Sequence, residues 1–209
     1  MSGRPPLLVL ALAGAFLLLV ASLVMGSLAS PEFPPYALTP AAPHPHVVGD
    51  SLVGPATYTL DASRGDAWRR FDFARTAVVD SGTWDIAFRR NTVIVASGAA
   101  VRDLGAAAFE AVAEAPPSGY VAGGPPEGLG KWYAYSMLSH LLTSKRHVYA
   151  LRTSDGRYAK FEILAYYCRE VGAACYTFRY VLQGDGSRRF LKTSRPRAMI
   201  AGGGTARGP

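Results

Sequence analysis

From Leu7 to Leu28 the chain reads LLVLALAGAFLLLVASLVMGSL, without one charged side chain. As a helix this run measures roughly 33 Å, close to the hydrocarbon thickness of a bilayer, and it predicts a single transmembrane helix. The pattern downstream is different. Ala159, Phe161, Ile163, Ala165 and Tyr167 alternate with Tyr158, Lys160, Glu162, Leu164 and Tyr166, a period of two that predicts a strand with one apolar face turned inward. Tyr176, Phe178, Tyr180 and Leu182 repeat it. Strands are expected at Thr57–Asp61, Trp68–Phe73, Trp84–Arg89, Val93–Ala96, Val148–Arg152, Arg157–Tyr167 and Cys175–Gln183, with Thr153-Ser154-Asp155-Gly156 turning a hairpin. One short helix is expected at Ala106–Ala113, ending before Pro116-Pro117, and a Gly/Pro loop at Ser118–Lys131. The fold class is therefore all-β, mainly antiparallel sheet or sandwich, behind an N-terminal membrane helix.

These elements divide the chain into residues 1–6 (cytoplasmic), 7–28 (anchor), 29–56 (linker), 57–190 (β domain) and 191–209 (a basic, Gly-rich tail). The length of the apolar run favours an uncleaved anchor. A long signal peptide is the alternative, with Ser27-Leu28-Ala29 as its cleavage site. Arg4 precedes the span and no Lys or Arg follows before Arg64, so the positive-inside rule puts the N-terminus in the cytoplasm and the C-terminal domain in the periplasm, across a bacterial inner membrane. The linker carries Pro31, Pro34, Pro35, Pro40, Pro43, Pro45 and Pro55, and reads as a stiff, polyproline-like spacer that lifts the domain off the membrane. His44 and His46 within it are two ligands at most, too few for a closed metal site.

The 209 residues suffice for one globular domain beyond anchor and linker. The net charge of +7 gathers partly in Arg188, Arg189, Lys192, Arg195 and Arg197, either a solvated tail or a strap for an acidic protein surface or lipid headgroups. Nucleic acid is not an expected partner outside the cytoplasm. Cys168 and Cys175, the only cysteines, flank the loop between two strands and would sit nearly opposite one another, so in an oxidising compartment a disulfide is expected. The sequence contains no G-x-S-x-G, no H-E-x-x-H, no phosphate-binding glycine loop and no cysteine nucleophile, and a non-catalytic role is expected.

Several segments taken together resemble a known family. Trp84-Asp85-Ile86-Ala87-Phe88-Arg89-Arg90-Asn91 and Ser97-Gly98 form the first part, and Trp132-Tyr133-x-Tyr135 with His140 the second. Val148-Tyr149-Ala150-Leu151-Arg152-Thr153-x-Asp155-Gly156-x-Tyr158-Ala159-Lys160, Ala165-Tyr166-Tyr167 and Tyr176-Thr177-Phe178-Arg179-Tyr180 complete it. In this order, over about Thr57 to Phe190, they resemble the HmuY-like family of bacterial exported haem-binding proteins. The resemblance implies an all-β domain outside the cytoplasmic membrane and haem capture through two axial side chains. It makes His140, His147 and Met137 the candidate ligands, with Tyr133 and Tyr135 as walls of an aromatic pocket. The other reading of the histidines is structural: His140 packing at a loop base, His147 opening a strand with its ring exposed. The chain departs from the family's founding lipoproteins in having no leader cysteine to carry a lipid.

Two functions follow. The first is an accessory or stabilising subunit of a membrane complex, respiratory or photosynthetic electron transfer being the setting, with no cofactor of its own. Its partners would be other subunits, met through the 7–28 helix and the periplasmic domain, and the bilayer. The alternative is a tethered periplasmic haem-binding protein of the HmuY type.

Overall fold

The computed structural model describes residues 6–28, 33–124 and 129–191. Helix α1 spans Leu7–Leu28 and is the one helix among the described residues long and apolar enough to cross a membrane. Among the described residues twelve strands follow: β1 (Leu52–Asp61), β2 (Arg69–Asp72), β3 (Ala77–Val79), β4 (Ile86–Arg89), β5 (Thr92–Val95), β6 (Ala100–Asp103), β7 (Val121–Ala122), β8 (Tyr133–Tyr135), β9 (Leu142–Ser144), β10 (Val148–Arg152), β11 (Tyr158–Cys168) and β12 (Gly172–Gln183). They form a six-stranded sheet ordered β1-β12-β11-β10-β6-β7, a four-stranded sheet ordered β3-β2-β4-β5, and the separate β8–β9 hairpin. Every pairing is antiparallel.

The two larger sheets enclose an aromatic core. Phe71, Phe73, Phe88, Tyr149, Phe161, Tyr176, Phe178 and Tyr180 are all buried, and most meet edge-on or tilted, as between Phe71 and Phe178 at 5.0 Å. Such pairs add about 0.5–1.5 kcal/mol each beyond the area they remove from water.

The expected alternation along β11 holds to Ile163 and then breaks. Bulges between Ile163 and Ala165 and between Ala165 and Tyr167 shift the register, so Tyr166 enters the core while Tyr167 is only half-buried. The opposite face is not solvated either. Lys160 and Glu162 are both 3% exposed, because Phe109, Ala115 and Phe190 close over this side of the sheet with Val148 and Val181. Lys160 Nζ donates to the carbonyls of Phe109 and Val112 at 2.6 and 2.7 Å and lies 4.4 Å from the Phe109 ring. The expected helix at Ala106–Ala113 is a single 3-10 turn, Phe109–Ala111. A run this short does not recover the cost of nucleating an α-helix, and packing of Phe109 sets the conformation instead.

The linker is not a free spacer. β1 begins at Leu52, inside the expected 29–56 segment, with a bulge beside the cis Gly54–Pro55 peptide. Upstream, Thr39 N–H donates to Thr59 O at 2.9 Å, and Thr39 Oγ1 accepts from Thr59 N–H at 2.9 Å. Val48 N–H donates to Ala74 O at 2.7 Å. A Cβ on Gly184 would lie 2.3 Å from Gly49 O, so only glycine lets the linker cross here. Extended chain with few N–H groups needs few acceptors, and the domain supplies them.

Cys168 and Cys175 are disulfide-bonded across the β11–β12 loop, as the sequence suggests. Closing so short a loop removes about 2.5 kcal/mol of unfolded-chain entropy. The double variant Cys168→Ser, Cys175→Ser is accordingly expected to lose about 2 kcal/mol in urea unfolding, with the wild type falling to the same value under reductant.

Candidate functional site

The candidate ligands fall on and beside the β8–β9 hairpin. Its base is fixed by Trp132, 1% exposed, whose Nε1–H donates to Asn91 O at 3.0 Å. The indole packs against Tyr133, Tyr166 and Tyr176 at 5.1–5.5 Å between rings. Asn91 Nδ2 donates to the Tyr133 hydroxyl at 3.2 Å, Ser144 Oγ to Ile163 O at 2.6 Å, and Leu142 N–H to the Tyr167 hydroxyl at 3.0 Å. The hairpin is thus stitched to β11 and to the β4–β5 turn at its root, while its tip projects.

At the tip Ser136 N–H donates to Leu141 O at 2.9 Å, and Ser139 N–H to Ser136 Oγ at 3.2 Å. His140 takes a left-handed backbone, φ 55°, and its exposed ring hydrogen-bonds through Nδ1 to the Tyr135 hydroxyl. In the tautomer protonated at Nδ1 the imidazole donates to that oxygen and presents Nε2 for coordination, the usual outer-shell arrangement of a ligating histidine. Met137 shares the tip and is 75% exposed.

His147 lies elsewhere. It precedes β10, and its Nδ1 faces the Asp103 carboxylate of the neighbouring strand β6 at 2.9 and 3.0 Å. The extended strand β9, about 10 Å long, stands between it and His140. The structure therefore brings Met137 and His140 together on one turn and keeps His147 apart. Among the described residues no group of three or more His, Cys, Asp or Glu could hold a bare metal ion.

Behind the hairpin is a cleft of about 240 Å³ whose walls include Leu142, Leu164, Tyr166 and Tyr167. The linker enters it: Phe33 stacks on Tyr167 at 5.4 Å and 11° between planes. A lone aromatic pair in a proline-rich stretch, Phe33-Pro34-Pro35-Tyr36, was the sequence signal for this contact, and sequence reasoning passed over it. Burial pushes the Tyr166 phenol up to about 12 and that of Tyr176 higher still. Tyr166 lines the cleft as a neutral ring, and Tyr176 is buried in the core behind it.

Of the basic residues near the C-terminus, Arg188 is held by the domain, 3.0 Å from the Glu114 carboxylate and donating to Ala115 O at 3.4 Å. Arg189 pairs through its backbone with Glu114. The first two of these basic residues are thus engaged with Glu114 and Ala115; Lys192, Arg195 and Arg197 lie outside the described residues.

No protein-family model matches the chain, and no curated protein does. Solved structures do. The apo HmuY analogue of Tannerella forsythia aligns with a TM-score of 0.54 at 15% identity, over 64% of this chain and 97% of that one. A Bacteroides vulgatus protein named as HmuY-like and heme-binding gives 0.51 at 22%, over 64% and 96%. Apo PinO from Porphyromonas gingivitis gives 0.51 at 14%, over 64% and 98%. At these identities the likeness establishes the fold: the β domain has the HmuY-like architecture.

Proposed function

We propose that this chain is a membrane-tethered, non-catalytic haem-binding protein of the HmuY type, with its domain in the periplasm and haem held at the β8–β9 tip. The observation that carries the reading is the Tyr135–His140 hydrogen bond, which orients an exposed imidazole on the same turn as an exposed thioether. His140 Nε2 and Met137 Sδ would be the groups that hold the haem iron; imidazole and thioether are an established pair for it. Haem would supply an iron that takes nitrogen and sulfur donors, and a broad apolar face. The chain supplies the donors at the tip and the aromatic wall of the cleft behind it.

The fold of the neighbours, one of them named for haem, supports this reading over the accessory-subunit expectation, which rests on α1, the linker, a compact domain and the basic tail. The test is haemin titration of the detergent-purified full chain, followed by its Soret band. His140→Ala is expected to weaken binding at least about tenfold, Met137→Ala to change the band position, and His147→Ala to alter affinity less than about twofold. A chain that stays colourless with excess haemin and co-purifies with a larger assembly would return the function to the accessory subunit.

A further inference from the structure

We infer that in the haem-free chain the β8–β9 tip is a second membrane contact: with α1 as anchor, Met137 and Leu138 dip into the headgroup and upper acyl region of the same lipid leaflet, and haem capture by Met137 would withdraw the tip from it. The inference rests on reading Leu7–Leu28 as a retained anchor.

Three observations converge. Outside α1, Met137 and Leu138 are the most exposed large apolar side chains among the described residues, at 75% and 77%, and they are adjacent at a projecting turn. Apolar residues scattered singly over a surface are ordinary; a contiguous pair at the point of a hairpin is not. Next, the tip lies beside the end of α1, where a Cβ on Gly26 would be 3.9 Å from Leu138 O. That end of a spanning helix sits at the bilayer surface. Finally, the docked linker holds the domain close. With Phe33 stacked on Tyr167, only five residue steps separate it from Leu28, at most about 18 Å of chain. A free proline spacer would have let the domain float; this one delivers the hairpin to the lipid.

The charge around the tip suits a lipid partner. Exposed Lys131 and Lys145 stand behind it at the hairpin root, placed for headgroup phosphates while the apolar pair goes deeper. The tip itself, Ser136-Met137-Leu138-Ser139-His140, carries no acidic residue. The opposite end of the sandwich, at the Asp155 and Asp185 turns, is hydrophilic and lies a β11 length away, about 35 Å.

The test uses the full chain in vesicles of three parts phosphatidylcholine to one part phosphatidylglycerol, with or without bromine on the phosphatidylcholine acyl chains. Leu138→Trp places a reporter at the tip and Ser187→Trp a control at the far turn; the wild type gives the background of the native tryptophans. Carbonate-resistant reconstitution is required first, and its failure would overturn the anchor reading, and this inference with it. Given reconstitution, the Leu138→Trp increment is expected to fall about twofold in brominated vesicles while the Ser187→Trp increment is unchanged. An unquenched Leu138→Trp would overturn the tip contact alone, and equal quenching at both sites would show a domain with no preferred face.

Discussion

Asp85→Ala is expected to destabilise the domain by about 2–4 kcal/mol, read from urea unfolding of the detergent-solubilised chain. Asp85 is 2% exposed and joins the two sheets. Its Oδ2 accepts from Phe73 N–H at 2.8 Å and its Oδ1 from Ser154 N–H, in the β10–β11 turn, at 2.7 Å. Ser154 Oγ returns a bond to Trp84 O at 2.7 Å. Alanine leaves two buried donors without acceptors, and water does not reach them cheaply.

The same residue sets a pH dependence. Burial, reinforced by nearby Asp72, outweighs the two N–H donors and pushes the Asp85 carboxyl up to about 6, from an unfolded value near 3.8. A carboxyl raised on folding binds its proton more tightly in the native state. Its contribution is therefore largest below about pH 4, declines as pH rises to about 6, and is flat beyond. Asp85→Asn cannot titrate. The stability of wild type minus that of Asp85→Asn is expected to fall by on the order of 2–3 kcal/mol between about pH 4 and pH 7. A difference independent of pH would mean that Asp85 is charged throughout.

Glu162→Ala is the second large effect, an expected loss of about 2–4 kcal/mol. The buried carboxylate receives the Arg146 guanidinium on Oε1 and Arg179 Nε on Oε2, the latter at 2.6 Å. Arg179 also reaches Glu110 at 2.7 Å and lies 4.3 Å from the Phe109 ring. Removing Glu162 leaves two cations facing each other across the second face of β11. Partial exposure of both arginines keeps the cost below that of a fully buried pair. Because Arg146 directly follows the hairpin root, amide hydrogen exchange should accelerate in Leu142–Ser144 and around Phe109, while the core of β12 stays protected. Uniform acceleration across the domain would show that the network has no local role.

Much of this architecture was legible along the chain. α1 declared itself by length and apolarity, and β11 and β12 by period-two alternation around the Cys168–Cys175 pair. The elements missed were β3, β6, β7, β8 and β9, each of two to four residues and too short for a period to register. Ala106–Ala113 has helix-forming composition, yet the structure spends it on covering Lys160 and Glu162. Those two residues looked solvent-facing for the same reason: alternation tells one face from the other, and says nothing of whether the second face is covered. The candidate site was half readable. Tyr135 and His140 stand close enough in sequence to meet across a turn, but Asp103 is 44 residues from His147.

By itself the sequence determined the apolar span, the antiparallel β character and the disulfide. Each follows from local spacing or composition. Tertiary structure alone decided that Met137 and His140 share a turn without His147, that the linker docks with Phe33 on Tyr167, and that Arg188 pairs with Glu114. Those outcomes depend on bulged register and on contacts between distant strands, where one residue's slip turns a side chain to the other face. No local pattern encodes which distant group will be waiting there.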